Sequence, residues 1–341
     1  PALCRMLAKH ATVRHEISVL YRKPGETFSL LFDPRQVAGG KFAARALATP
    51  AFLAIVSLER LAQTLADSES AAPDGFIIEH HDAGGHNANP LGPLTKDSLG
   101  QPVYGAKDEP DIAAIRAIGK PFWMAGGYAS KPKLQEALAA GANGVQVGTL
   151  FALSEESGMK PDYRSAMLAA LRAGIDDADL VHTTTYSPTG FSFKVAQLPE
   201  TLSDDDVFAR RRRICDIGML QQVAFGKADE HNERTLFRRC PAGPINTFLK
   251  NRGHERNTEG RRCLCNGLLA CVGLGQVHEV RGEREEEPAI VTLGNHLDGV
   301  RRLSRHGQTH YHVADVVADI LGAIETEGRC VAGKGGVANV P

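Results

Sequence analysis

Between residues 52 and 172 the chain repeats one unit four times: a short, almost wholly apolar run followed by a stretch with helical spacing. The runs are residues 52–56, 75–78, 121–124 and 144–147, and the helical stretches are 58–66, 108–118, 130–140 and 163–172. A strand with one wet face alternates apolar and polar residues, whereas a continuous apolar run is buried on both faces. Such runs joined through helices pair in parallel, with the helices covering the sheet. The units recur at intervals of 23 to 46 residues. That rhythm predicts an α/β fold built of βα repeats, either a barrel or a doubly wound sheet.

The flanks read differently. Residues 1–12 have the spacing of a helix end. Two β-prone runs, 17–21 and 27–32, bracket the turn Lys23-Pro-Gly-Glu26 and predict a hairpin, an insertion at about 15–33. Beyond residue 175 the alternation stops. The region 175–341, rich in Gly, Pro, Arg and Cys, is expected to be an irregular segment packed on the α/β region 1–174.

Composition removes several classes of function. Lys plus Arg number 39 against 40 Asp plus Glu, a net charge of −1, so neither a strongly basic nucleic-acid binder nor a polyanion is indicated. Hydrophobic residues at 43 % suffice for a large core. No apolar run approaches the roughly 20 residues of a membrane span, and no signal peptide opens the sequence. The expectation is a soluble, cytoplasmic protein with no membrane and no nucleic-acid partner. Glycine, at 35 of 341 residues, exceeds the usual ~7 % and suits tight turns against a ligand.

Seven cysteines without a secretory signal read as reduced thiols. A metal site from Cys215, Cys240 and the Cys263-x-Cys265 pair is the sharper alternative. Its one-residue gap is not that of a zinc ribbon and no second close pair answers it, so no metal is expected. Ser203, the acids 204–206 and the arginines 210–213 match an N-capped helix with charges complementing its dipole, a better reading than a nucleic-acid patch. His306, His310 and His312 crowd the tail, where packing or solvation is the default.

In a parallel α/β region, ligands sit at the C-terminal ends of the strands. After the second strand comes Glu79-His-His-Asp-Ala-Gly-Gly-His-Asn87. Its two glycines allow close backbone approach, and His86 is placed to act as acid, base or hydrogen-bond donor. His80 and His81 are either plain strand-end residues or, with Asp82 and His86, ligands of a metal. The third and fourth strand ends carry Ala125-Gly126-Gly127 and Gln146-Val-Gly148-Thr149. Glycines ahead of a helix favour an anion, and a phosphate cradle facing a histidine points to a phosphorylated cofactor or substrate.

These residues carry a resemblance. Asp82-Ala-Gly-Gly-His86 is similar to the Glu-Ala-Gly-Gly-His signature of nitronate monooxygenases, and 121–151, with its Ala-Gly-Gly-Tyr and Gly-Val-Gln-Val-Gly-Thr-Leu-Phe, resembles that family's flavin-phosphate segment. Ser187-Pro-Thr-Gly-Phe-Ser-Phe-Lys194, Arg239-Cys-Pro-Ala242 and Cys263-Leu-Cys-Asn-Gly-Leu-Leu269 resemble the tail of its larger bacterial members. The resemblance implies a TIM barrel that binds FMN and oxidises alkyl nitronates with O2 to a carbonyl compound and nitrite. Gly126, Gly127, Gln146, Gly148 and Thr149 would hold the FMN phosphate, and His86 would hydrogen-bond the nitro group or take the α-proton of a neutral nitroalkane. Counted against the family, the four strands are the fifth to eighth of a (β/α)8 barrel. The start at Pro1 and the want of a Gly-Gly-Met-Gly-type loop give the expectation of a chain truncated at its front. Asp82 stands where the family usually has Glu. Two further readings remain open: a flavin-dependent enoyl reductase acting on a carrier-bound thioester, and an inactive remnant. Homo-oligomerisation is left open as well.

Overall fold

The computed structural model describes residues 2–39, 47–69, 71–228, 230–231, 233–280, 282–304 and 309–322. Pro1, Arg281, His306 and Cys330 lie outside them. After a helix at Ala2–Ala8 come strands β1 (Val13–Glu16), β2 (Val19–Leu20) and β3 (Ser29–Phe32). The expected hairpin forms, closed by Lys23 and Glu26, but β3 pairs with β1, in register from Val13↔Phe32 to Glu16↔Ser29. The run 17–21 breaks up. Ile17 stays on the hairpin through its N–H to Phe28 O, while β2 leaves to pair elsewhere and buries Val19. A two-stranded hairpin is marginal alone, so the apolar Val19 gains more from a larger sheet.

The four predicted strands are present as β4 (Leu53–Val56), β5 (Gly75–Glu79), β7 (Phe122–Ala125) and β8 (Gly144–Gln146), with β6 (Gly85–Asn87) between β5 and β7 in sequence. They form one parallel sheet in the order β4-β5-β7-β8. Cross-strand partners share a face. Ala54, Phe76 and Phe122 make one row and Val56, Ile78, Met124 and Val145 the next, and both rows pack under the helices. Helices Glu59–Ala66, Ile112–Ala117 and Lys131–Ala139 meet that face through Ala62, Ile115 and Ala137. Two of the three begin at a side-chain cap: Asp111 accepts from Ala114 N–H and Ser130 from Lys133 N–H. The other face, with Ile55, Ile77 and Trp123 in one row, is only partly covered, and Ile55 is 55 % exposed. Among the described residues the sheet does not close on itself; β4 and β8 are its edges.

The tail is more ordered than its sequence suggests. It contributes β9 (Val181–Thr184), β10 (Ser192–Ala196), β11 (Gln222–Phe225), β12 (Leu236–Arg239), β13 (Val277–Val280) and β14 (Glu283–Glu286). β10 lies between β9 and β6, and β11 between β12 and β2. β10 is buried at all five positions, so no alternation marks it, and one of its partners lies about a hundred residues upstream. The arginine-rich stretch behaves as a helix end, with Asp204 rather than Ser203 as the cap of Asp205–Arg210. Ser203 Oγ instead accepts from Leu198 N–H. Arg211 and Glu287 form an ion pair at 2.6 Å with both side chains buried, and Arg262 pairs with Asp205 at 2.7 Å.

Tail and α/β region share one core. Leu150, Leu153, Met167 and Leu171 pack with Val291, Leu293, Leu297, Val300 and Tyr311. Segment 289–297 runs through it. Its carbonyls at Ala289 and Val291 accept from Leu202 and Ala196 N–H, and Ile290 N–H donates to Gly267 O. No helix among the described residues is long and apolar enough to cross a membrane.

Candidate functional site

The C-terminal ends of β5, β7 and β8 open into a cleft of about 270 Å3. Gly126, Gly127, Gln146, Gly148 and Thr149 all line it, from the ends of β7 and β8. Gly126 and Gly127 have φ of +87° and +80°, a region side-chain-bearing residues rarely adopt. A Cβ on Gly126 would stand 2.9 Å from His80 Cβ and 3.1 Å from Ala83 N; on Gly127 it would stand 2.7 Å from His296 Cδ2. At Gly148 a Cβ would meet nothing within 4 Å, so the backbone there faces open space.

His86 is not part of this lining. It sits on β6, opposite Phe193 of β10, with its Nε2 2.8 Å from Ser187 Oγ and its ring edge-on to Phe193 at 4.8 Å. Ser187 is fully buried and also bonds Thr189 Oγ1, so the imidazole is aimed by a fixed hydroxyl. Burial against these groups lowers the His86 pKa, which keeps the ring neutral at neutral pH. Its neighbours Gly84 and Gly85 do reach the cleft.

The tail completes the cleft, which sequence reading did not foresee. Thr292 Oγ1 accepts from Gly85 N–H and donates to Lys194 O, both at 2.8 Å. Gly294 N–H donates to Thr149 Oγ1, and Asn295 N–H to Asp82 O. Gly294 is required there, since a Cβ would stand 2.8 Å from Asp82 O. His296 Nε2 lies 2.8 Å from Asp82 Oδ2.

Asp82 is the hub of the site. Its carboxylate also meets His80 Nδ1 at 3.1 Å and His81 Nδ1 at 3.5 Å. Burial alone would raise its pKa; hydrogen bonds from His296, His80 and His81 hold it far below the usual carboxylate range. The same bonds, led by Asp82, raise His80 and His296 despite their burial. Glu79 also lines the cleft, and burial pushes it up toward the neutral form. On the far side, His80 Nε2 lies 3.1 Å and His81 Nε2 3.6 Å from Glu109 Oε1. His80, His81 and Glu109 present ligand-type atoms all within 4.8 Å of one another.

The cysteines gather too. Cys215, Cys240, Cys263 and Cys265 come from three segments into one small cluster, with no disulfide among them. A hydrogen bond between the last two raises Cys263 and lowers Cys265.

No curated protein matches the chain. Among solved structures it is similar to a FabK mutant from Thermotoga maritima (26 % identity, 43 % of this chain and 40 % of that one, TM-score 0.30). It is similar also to a nitroalkane oxidase from Streptomyces ansochromogenes (23 %, 42 % and 38 %, TM-score 0.30). A third is the enoyl reductase domain of MlnA from the macrolactin biosynthesis cluster of Bacillus amyloliquefaciens (12 %, 82 % and 68 %, TM-score 0.40). The chain thus spans about two fifths of the length of the first two. The nitronate monooxygenase profile matches residues 17–187, half of the chain. That span holds the parallel sheet, the Asp82–His86 turn and both glycine loops, and the chain belongs to the nitronate monooxygenase family.

Proposed function

We propose that this is an FMN-dependent oxidoreductase that oxidises alkyl nitronates with O2 to a carbonyl compound and nitrite. The observation that carries the reading is the convergence of Gly126, Gly127, Gln146, Gly148 and Thr149 on one cleft inside the segment that matches the family. The cleft suits the phosphate end of the flavin. Its anion would meet backbone at the two left-handed glycines and at Gly148, where no Cβ intrudes. The two carboxyl groups in the lining do not oppose it: Asp82 is matched by three imidazoles, and Glu79 is driven toward its neutral form.

When bound, FMN supplies the electron transfer to oxygen. The chain supplies position and protons. His86, neutral and held by Ser187, donates a hydrogen bond to the nitro group of a nitronate, or accepts the α-proton of a neutral nitroalkane. We also read β4, β5, β7 and β8 as the fifth to eighth strands of a (β/α)8 barrel. The half-covered row Ile55, Ile77 and Trp123 supports this, since in a closed barrel it would face inward.

The test is direct. Purified protein should carry FMN, identified by absorbance and mass, and should release nitrite from a nitronate. His86→Ala should keep the flavin and lose about 10²-fold in rate. Flavin-bound protein that turns over an enoyl thioester with NAD(P)H, and makes no nitrite, would replace this reading with enoyl reduction. Protein that takes up no FMN would refute it outright.

A further inference from the structure

Two histidines and a carboxylate meet beside the glycine cleft, and nothing in the reaction proposed above uses them. The geometry points to a binding site for a divalent first-row transition-metal ion, formed by His80, His81 and Glu109 and oriented by Asp82. The spacing carries the argument. Metal–nitrogen and metal–oxygen bonds of about 2.0–2.2 Å place neighbouring ligand atoms roughly 3.0–3.4 Å apart in octahedral or tetrahedral sets. Here Glu109 Oε1 lies 3.1 Å from His80 Nε2 and 3.6 Å from His81 Nε2, and all three ligand atoms lie within 4.8 Å of one another. Small side-chain adjustments would bring them onto one ion.

The surroundings fit the same role. A metal-bound imidazole usually gives its other ring N–H to a carboxylate, which fixes its tautomer and its direction. Both rings turn their Nδ1 edges to Asp82, at 3.1 and 3.5 Å, and both turn Nε2 to Glu109. The rings lie against each other at 3.9 Å, and His81 stacks on Tyr104 at 4.1 Å and 11°, so neither is free to swing. Glu109 comes from a distant loop that Asp108 pins through Leu91 and Gly105 N–H. Two imidazoles and one carboxylate suit zinc, iron or nickel. They also leave coordination positions open toward a neighbouring pocket of about 90 Å3, lined by Ser57, Glu79, Asn87 and Asp108. The two imidazole ligands would share Asp82 with His296, which ties the ion to the cleft wall without placing it in the cleft.

The site stands independently of the flavin reading, and its test does not use activity. Untagged protein, stripped with a chelator and dialysed, would be titrated with Ni2+ by calorimetry and with Co2+ by difference spectroscopy. One equivalent should bind, with weak visible bands and no intense thiolate charge-transfer band. Glu109→Gln, at a half-exposed position, should cost about 100-fold in affinity, and Asp82→Asn about 10-fold. Absence of binding, or binding unchanged in Glu109→Gln and in His80→Gln, would overturn the proposal. An intense thiolate band would move the ion to the cysteine cluster and overturn it equally.

Discussion

At the scale of single residues, Asp82 decides how the site responds to pH. It raises the pKa of His80 and His296 above the ordinary histidine value. The stability these contacts contribute is therefore complete below about pH 6.5 and fades as pH rises through the raised values. Asp82 itself stays charged throughout that window, since its own pKa lies far lower. With a chelator present, Asp82→Asn should lower Tm most near pH 6 and least near pH 9, so that the wild type shows the steeper fall. Parallel curves for the two proteins would disprove the linkage. Gly127 is equally specific. Valine there faces a left-handed φ of +80° and the His296 ring at 2.7 Å. The ring can swing away only by releasing Asp82. Gly127→Val should therefore lose FMN affinity while the fold survives, which equilibrium binding and circular dichroism would check together.

The elements show which signals a sequence carries. The four parallel strands were legible because each is a local run of apolar residues with a helix behind it. The glycine loops followed from those strand ends. β2 and β10 were not legible in this way. Val19–Leu20 continues a convincing hairpin arm, and only a partner two hundred residues downstream draws it away. β10 is buried throughout and contains a lysine, a pattern that argues against a central strand. Lys194 Nζ donates to Thr183 Oγ1 across the β9–β10 pair at 2.6 Å, and burial lowers its pKa to about 8. Between that value and the ordinary lysine value the unfolded chain binds more protons, so stability rises with pH over this range. Lys194→Met should remove that rise and leave the protein at least as stable at pH 7, because it exchanges a buried amine for an apolar chain of similar length. Thermal melts from pH 7 to 10 would decide it; a marked loss at pH 7 would assign the amine a stabilising role.

At the scale of the molecule, the cleft belongs to two distant stretches of chain. The strand ends supply its floor, and 292–296 supplies its wall. His296 and Asp82 are 214 residues apart, and no local pattern marks Gly294-Asn-His296 as their link. This is why the glycine loops at the strand ends could be named from the sequence, whereas the Asp82 hub could not. The wall is also structural. Ala289, Ile290, Val291 and Leu297 are completely buried, and each large apolar side chain lost from such a position costs about 1.5–3 kcal/mol in transfer alone. A chain ending at residue 288 should be protease-sensitive and retain no FMN, as limited proteolysis and absorbance would report. A protease-resistant, flavin-loaded fragment would show that the wall is dispensable.

The threading of 289–297 through the shared core has a consequence for synthesis. The ribosome releases the floor of the cleft long before the segment that walls it. Until residue 296 emerges, Asp82 lacks one of its imidazoles and Thr149 Oγ1 lacks the N–H it accepts. During that interval the cluster that holds Leu150 and Leu171 lacks Ala289, Val291, Leu293 and Leu297. The nascent chain therefore stays aggregation-prone until residues 289–297 have emerged, and the cleft has no wall before then.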